Sequence, residues 1–322
     1  MARKTMRSYI GKRLLLMIPV LMGVSFIIFA IMSLTPGDPA TMILGEGAPK
    51  EALEAKRNEL GLDKAFIVRY FDYLKNAVKG DFGVSYRTGI KVFDEIKTRL
   101  PYTLQLASIS LILAVIIGIP IGVISAVKQY SIVDTAAIGI SLLITSMPSF
   151  LLGMILIIVF SLKLGWLPMI GLSSLKHYIL PAIATSSAIV VSLLRMTRTT
   201  MLEVIRQEYI KTARAKGAGE LKVIYGHALR NALLPVVTLI GVDFGNALAG
   251  SIVVEQVFSI PGLGQLMVNS IRTKDTPMVM ASVLAAAVFA SFVILLLDLV
   301  YAYIDPRLKF QYKSAGKRTK QA

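Results

Sequence analysis

Long apolar runs leave this chain the least freedom in how it can fold. A helix needs about 20 predominantly apolar residues to cross a hydrocarbon core about 30 Å thick. Four uncharged stretches reach or approach that length, at 14–34, 102–127, 135–162 and 178–194. Two more, 231–254 and 276–304, each carry one acid, Asp243 and Asp298. The shortest run is carried past Arg195 to give a span over 178–200. With 55% hydrophobic residues and a mean hydropathy of +0.68, a pair of soluble domains is excluded. The expectation is an all-α integral membrane protein with six transmembrane helices. Pro19, Pro120, Pro148 and Pro235 fall inside these runs and are expected as kinks or helix ends.

The basic N-terminus before the first run has the outline of a secretory signal, but the apolar core of such a signal is only about 7–15 residues long. The run over 14–34 is therefore read as a span. Cysteine is absent, which rules out disulfides, thiolate metal sites and cysteine nucleophiles. His177 and His227 are the only histidines and form no H-E-x-x-H pair. An intramembrane aspartyl hydrolase would need two facing acids. Asp243 and Asp298 are the one candidate pair, and their depths differ. No G-x-x-x-x-G-K-[ST] loop is present, so ATP-driven work would need its ATPase on another chain. The chain is expected to carry no catalytic site and no cofactor of its own.

Charge orients the runs. Residues 1–13, 128–134, 195–230 and 305–322 hold 20 Lys and Arg in 74 residues, whereas 163–177 and 255–275 hold 4 in 36. The positive-inside rule then places both termini in the cytoplasm. On this reading 1–13, 201–230 and 305–322 are cytoplasmic, and 35–101 and 255–275 are extracytoplasmic. The net charge of +16 follows the same partition, which fits anionic lipid and argues against a nucleic-acid partner.

The region 35–101 reads as partly helical, over 50–60 (KEALEAKRNEL) and over 63–78, where Phe66, Val68, Tyr70, Phe71 and Leu74 recur. Residues 80–89 break that pattern. A lid and a docking surface for a substrate-delivering partner are both open readings. In 201–230, Leu202, Ile205, Tyr209 and Ala213 set one apolar stripe on a charged helix that Gly217 and Gly219 end. Such a helix either docks on a partner or lies flat on the membrane.

A charge at mid-span costs about 2.5–3.5 kcal/mol on insertion scales. Asp243 is accordingly expected to face the pathway, to pair with a base, or to serve as a structural hydrogen-bonding group. Asn246, one turn on, is the second pathway candidate. Asp298 lies nearer a helix end, where packing or snorkelling accounts for it. Gly118 with Gly122, and Gly241 with Gly245 and Ala249, have the every-fourth-residue spacing of close helix packing.

Seven motifs occur in order along the chain. They are LTPGDPA at 34–40, GDFGVS at 80–85, RLPYTLQLA at 99–107, SMPSF at 146–150, EYIKTARAKGAG at 208–219, HALRNALLPV at 227–236 and EQVFSIPGLG at 255–264. Together they resemble the binding-protein-dependent ABC transporter permeases of the dipeptide and oligopeptide type, specifically the first of their two membrane subunits. The resemblance implies a type I ABC importer permease fold in the cell membrane and a role in importing dipeptides or oligopeptides. It also implies that the loop with its E-A-A…G positions docks on the ATPase.

Those positions are held here by Lys211, Thr212, Ala213 and Gly217, so the leading acid and one alanine are replaced. Glu208, a turn earlier, is the candidate acidic contact, with Arg214 on the same helix. A larger residue at Gly217 is expected to block docking. Where the general pattern has I-x-L-P, the chain reads His227, Ala228, Leu229 and Arg230. The partners implied are two ATPase subunits holding ATP and Mg, a second homologous permease forming a heterodimer, an extracytoplasmic solute-binding protein and a peptide substrate. Nickel, glutathione or another small solute are alternative cargoes within the family. A proton-coupled secondary carrier is the rival from a different class.

Overall fold

The structure, a computed structural model, describes the backbone of residues 2–172 and 174–304, and the side chains of these except 2–10, 12, 249–250 and 297–304. Asp298, Ala249 and the tail 305–322 lie outside the side chains or residues described. Among the described residues every regular element is helical. In chain order these are α1 (Ala2–Leu34), α2 (Pro39–Leu44), α3 (Lys50–Glu59), α4 (Phe66–Val78), α5 (Val92–Val127), α6 (Ile132–Thr145), α7 (Ser149–Leu156), α8 (Lys176–Ile205), α9 (Glu208–Ala215), α10 (Leu229–Val257), α11 (Leu263–Arg272) and α12 (Thr276–Ile304). π-helical turns extend α7 over Ile157–Lys163 and precede α10 over Lys222–Ala228.

Among the described residues five helices are long and apolar enough to cross a membrane, and the bent pair α6–α7 makes a sixth span if counted as one. The expected kink or end at Pro148 is a break within the run 135–162. The chain turns by 99° between Thr145 and Ser149, because Pro148 supplies no amide to the α6 ladder and instead caps α7. Pro19 and Pro235, by contrast, lie within continuous helices. The helix that holds the run 102–127 begins ten residues earlier, at Val92, where Asp94 and Glu95 make a favourable first turn. The segment 255–275 is likewise no simple loop, as α11 fills its second half.

The chain divides into two compact units. The first comprises residues 1–104 and 259–291. Here α2 starts on Asp38, whose carboxylate accepts the Ala40 amide, with Pro39 at the first helical position. α4 lies against α1 through its rings. Tyr70 is buried, stacks edge-on with Phe26, and its hydroxyl donates to the Met22 carbonyl at 2.9 Å. Of the apolar residues expected to recur on α4, Val68 and Phe71 stay exposed while Leu74 packs inward. The GDFGVS segment folds back so that Val84 bridges Lys91. Buried Asp275 fixes it, accepting the Ser85 hydroxyl and, at 3.2 Å, the Tyr86 amide.

The second unit comprises, of the described residues, 105–258 and 292–304. α8 is its central helix, packed against α6, α7 and α10. Its small and apolar face, including Ala182, Ala184, Ile189 and Leu193, is buried. α5 closes on α8 at two glycines. A Cβ on Gly118 would lie 2.9 Å from the Val190 carbonyl oxygen, and one on Gly122 would lie 2.7 Å from that of Leu194. Such approach is what small residues permit between spanning helices. Gly153 of α7 gives the same room to the buried ring of Phe258.

Candidate coupling site

The segment following α8 was expected to carry one stripe on one helix. The chain instead breaks at Arg206 and Gln207, which separates Leu202 and Ile205 at the end of α8 from α9. Their partner in the core is then Ile210, wholly buried with Met201, Val223, Ile224 and Ala228. Tyr209 is 43% exposed, and its hydroxyl accepts from Asn231 Nδ2 at 2.7 Å. The stripe failed at Tyr209 because the turn at 206–207 rotates α9 by a fraction of a helical turn. Ile210, an aliphatic residue between polar neighbours, was the signal available in the sequence.

With Ile210 as its anchor, α9 presents its remaining faces outward. Glu208, Lys211, Thr212 and Arg214 are exposed and Ala213 is half-buried. Lys211 bonds Glu208 at 2.8 Å, so the replaced acid position carries a base already paired to the acid a turn earlier. Arg214 holds Glu220 through two nitrogens, at 2.6 and 3.1 Å. This contact depresses the Glu220 pKa and raises that of Arg214. Both pairs are exposed, worth little to stability but enough to order the side chains.

Gly217 follows the cap residue Lys216 with φ +81°. Its amide returns to the Arg214 carbonyl at 2.9 Å and that of Ala218 to Ala213 at 3.2 Å, closing the helix end. A Cβ there would meet nothing in this chain within 4 Å. Gly217 therefore has two separable properties, a left-handed backbone and open space beside it.

The sequence reading did not find the pair that ties α8 to the 128–134 connection. Asp134 caps its own helix region from a buried position. It accepts Arg198 Nε at 2.7 Å and Nη2 at 2.8 Å, the Tyr130 amide at 3.0 Å and the Ser125 hydroxyl. Tyr130 takes φ +63° to aim that amide. A lone acid four residues after a turn looks like a helix-start charge, and no local pattern pairs it with a base 64 residues away.

Of the pathway candidates, Asp243 is buried and Asn246 exposed. Asp243 has no basic partner among the described residues of this chain. It faces Ser192 of α8, with Asn246 as its other polar neighbour, and its Oδ2 makes no hydrogen bond among the described residues. Gly241 is buried, whereas a Cβ on Gly245 would meet nothing within 4 Å. Gly245 therefore makes no close approach to another helix among the described residues, unlike Gly118 and Gly122 on α5.

Comparison with known proteins covers almost the entire chain. Residues 118–310 match the family described as binding-protein-dependent transport system inner membrane component, and residues 6–107 match its N-terminal counterpart. The glutathione transport system permease protein GsiC of Escherichia coli strain K12 is 42% identical over 306 residues, covering 95% of this chain and 100% of that protein. The GsiC protein of Shigella dysenteriae serotype 1 matches to the same extent. An inward-facing structure of the MetNI methionine ABC transporter in its CY5 native crystal form superposes with a TM-score of 0.55. It covers 65% of this chain and 96% of that one at 21% identity, a likeness of fold.

Proposed function

The chain belongs to the binding-protein-dependent transport system inner membrane components, the permease subunits of ABC importers, and from that premise we propose that it lines the translocation path of a short-peptide importer. The observation that carries the cargo assignment is the 42% identity, over the full length of the relative, to permeases named for glutathione, itself a tripeptide. Glutathione as the dedicated cargo is the second reading, favoured by the same relatives.

The chain is a multi-pass membrane protein working with ATPase and solute-binding partners. In our reading the two ATPase subunits hold ATP and Mg, a homologous second permease completes a heterodimer, and this chain binds no cofactor and performs no covalent chemistry. Both termini and α9 lie in the cytoplasm, and the region 35–91 faces the solute-binding protein. Closure of the ATPase dimer pushes on α9. Ile210 transmits that push to the core around Met201 and Val223, and the Asp134–Arg198 pair moves the 128–134 connection with α8. The two arrangements of the spans open the path to alternate sides, as a coupling between distant sites requires.

The test is uptake by the four-subunit membrane assembly in proteoliposomes supplied with its binding protein. Labelled glutathione, di- and tripeptides and nickel are offered separately. Peptide or glutathione uptake that stops when the ATPase cannot hydrolyse ATP is expected. Preference for nickel would overturn the cargo, and uptake without ATPase subunits would overturn the mechanism.

A further inference from the structure

Within the first unit, the end of α1 borders a cavity of about 340 Å3, at the lower end of the range that holds a small ligand. Its wall is strongly biased in charge. Arg57, Arg69 and Lys274 line it against a single acid, Asp38. Asp38 is committed to Arg57 at 2.9 Å, which depresses the Asp38 pKa. Lys274 Nζ donates to the Pro36 carbonyl at 2.6 Å, a contact that leaves its charge unbalanced. Arg69 sits 5.8 Å over the Phe29 ring and has no acidic partner among the described residues. Two positive charges thus line the cavity without a direct ion pair among the described residues, with the buried Asp275 carboxylate close by on Ser85 and Tyr86.

Lys274 is held there deliberately by the backbone. It is the left-handed residue that ends α11, at φ +55°, with its amide returning to the Ile271 carbonyl at 3.1 Å and that of Asp275 to Ser270 at 2.9 Å. Asp275, the next residue, is locked by Ser85 and Tyr86. The same turn places the Lys274 side chain against Gly37, where a Cβ would come within 3.4 Å of it.

The rest of the wall mixes polar groups, Ser33, Thr35, Tyr86 and Thr276, with apolar ones, Phe29 and Met32 of α1 and Met42 and Leu62 beyond it. It lies beside the last turns of the apolar run that ends at Leu34, the depth at which a spanning helix meets the headgroup layer. Below it, α1 leaves Ile27 and Ile31 more than half exposed, and the rest of the chain covers 11% of the spanning window. A free inorganic anion would use the cations but not the exposed apolar side chains of α1 beside them. A phosphate carried on hydrocarbon would use both.

We propose that this cavity binds the headgroup phosphate of an anionic phospholipid, with Arg69 and Lys274 as the phosphate-binding cations and α1 as the seat of the acyl chains. The site is independent of the cargo, and it fixes the region preceding α5 to the membrane rather than to the solute.

The test uses the complete transporter, stripped of lipid in non-ionic detergent and titrated with phosphatidylglycerol. Native mass spectrometry counts the bound lipids. Phosphatidylcholine and inorganic phosphate are the parallel arms. The tightest phosphatidylglycerol should weaken about 25-fold in Arg69→Gln/Lys274→Gln, about fivefold for each base removed near a membrane surface. Asp38→Asn keeps a side chain able to cap α2 but removes the one acid, and it should bind the lipid more tightly, a gain that misfolding cannot imitate. Equal binding by the double variant, no gain in Asp38→Asn, or inorganic phosphate binding as tightly as the lipid would each overturn the proposal.

Discussion

Replacing Asp134 by Asn tests how rigidly α8 is tied to the 128–134 connection. The carboxylate side chain is 3% exposed and Arg198 21%. Asp134 takes four donors, two from Arg198, one from the Tyr130 amide and one from Ser125. An amide in its place loses the charge and turns an NH2 toward a group that is itself a donor. Breaking a buried pair from one side costs about 3–5 kcal/mol. The partial exposure of Arg198 puts this case at the low end, about 3 kcal/mol. Arg198→Gln should cost a similar amount, since it leaves the carboxylate with only two donors. Removing both partners should then cost about 2 kcal/mol less than the sum of the single changes, within the range for residues in one network. Unfolding of the purified complex in detergent, run as a double-mutant cycle, reads this directly. Single variants within about 0.5 kcal/mol of the parent, the usual scatter of surface changes, or strictly additive costs would refute the reasoning.

Other perturbations probe separate features. Gly122→Ala should destabilise by about 1–3 kcal/mol through overpacking, because its Cβ would lie 2.7 Å from both the Leu194 carbonyl oxygen and Thr197 Cβ. Gly245→Ala has no such neighbour and should be neutral or gain up to about 1 kcal/mol of helix propensity. Thermal unfolding that shifts equally for both contradicts the packing account. At Gly217, Asn tolerates the left-handed conformation and Val does not. If the open space beside Gly217 is filled by a docked ATPase, both variants should lower uptake per ATP hydrolysed. A fully coupled Gly217→Asn would reduce Gly217 to a turn residue. Glu220 has a folded-state pKa below its ordinary 4.5 because Arg214 holds it. Its contribution is therefore complete above that value and fades as pH falls through the folded one. Hydrogen exchange at the 214–220 turn, corrected for intrinsic rates, should quicken only in that acidic window. Unchanged protection there would show that the pair orders nothing.

The spanning runs were legible because hydropathy integrates over many residues. The start of α5 at Val92 was less so, as its first turns carry Lys97 and Arg99 and project beyond the apolar run. The break at Pro148 was expected as a kink or an end, but its 99° angle depends on what α6 and α7 pack against. On α9, composition located the helix while the stripe misjudged which residue is buried. One turn at 206–207 exchanges Tyr209 for Ile210, and phase across a break is not encoded in spacing. The Asp134–Arg198 pair and the Asp275 clasp on Ser85 join residues 64 and 190 positions apart, and local pattern cannot reach that far. Gly118 and Gly245 share one motif, yet only Gly118 meets a neighbouring helix in this chain, which shows how little the spacing decides alone.

The account turns on α9 being the surface that receives the ATPase, and the absence of cysteine from the chain makes that directly measurable. A single Thr212→Cys, exposed on α9, is paired with a cysteine on the ATPase surface in the assembled transporter. Asn76→Cys, at the end of α4, serves as the comparison. Disulfide cross-linking at Thr212→Cys that changes in yield between the nucleotide-free and ATP-bound states, with none at Asn76→Cys, is the predicted result. Cross-linking at Asn76→Cys with none at Thr212→Cys would contradict both the coupling role of α9 and the orientation of the chain.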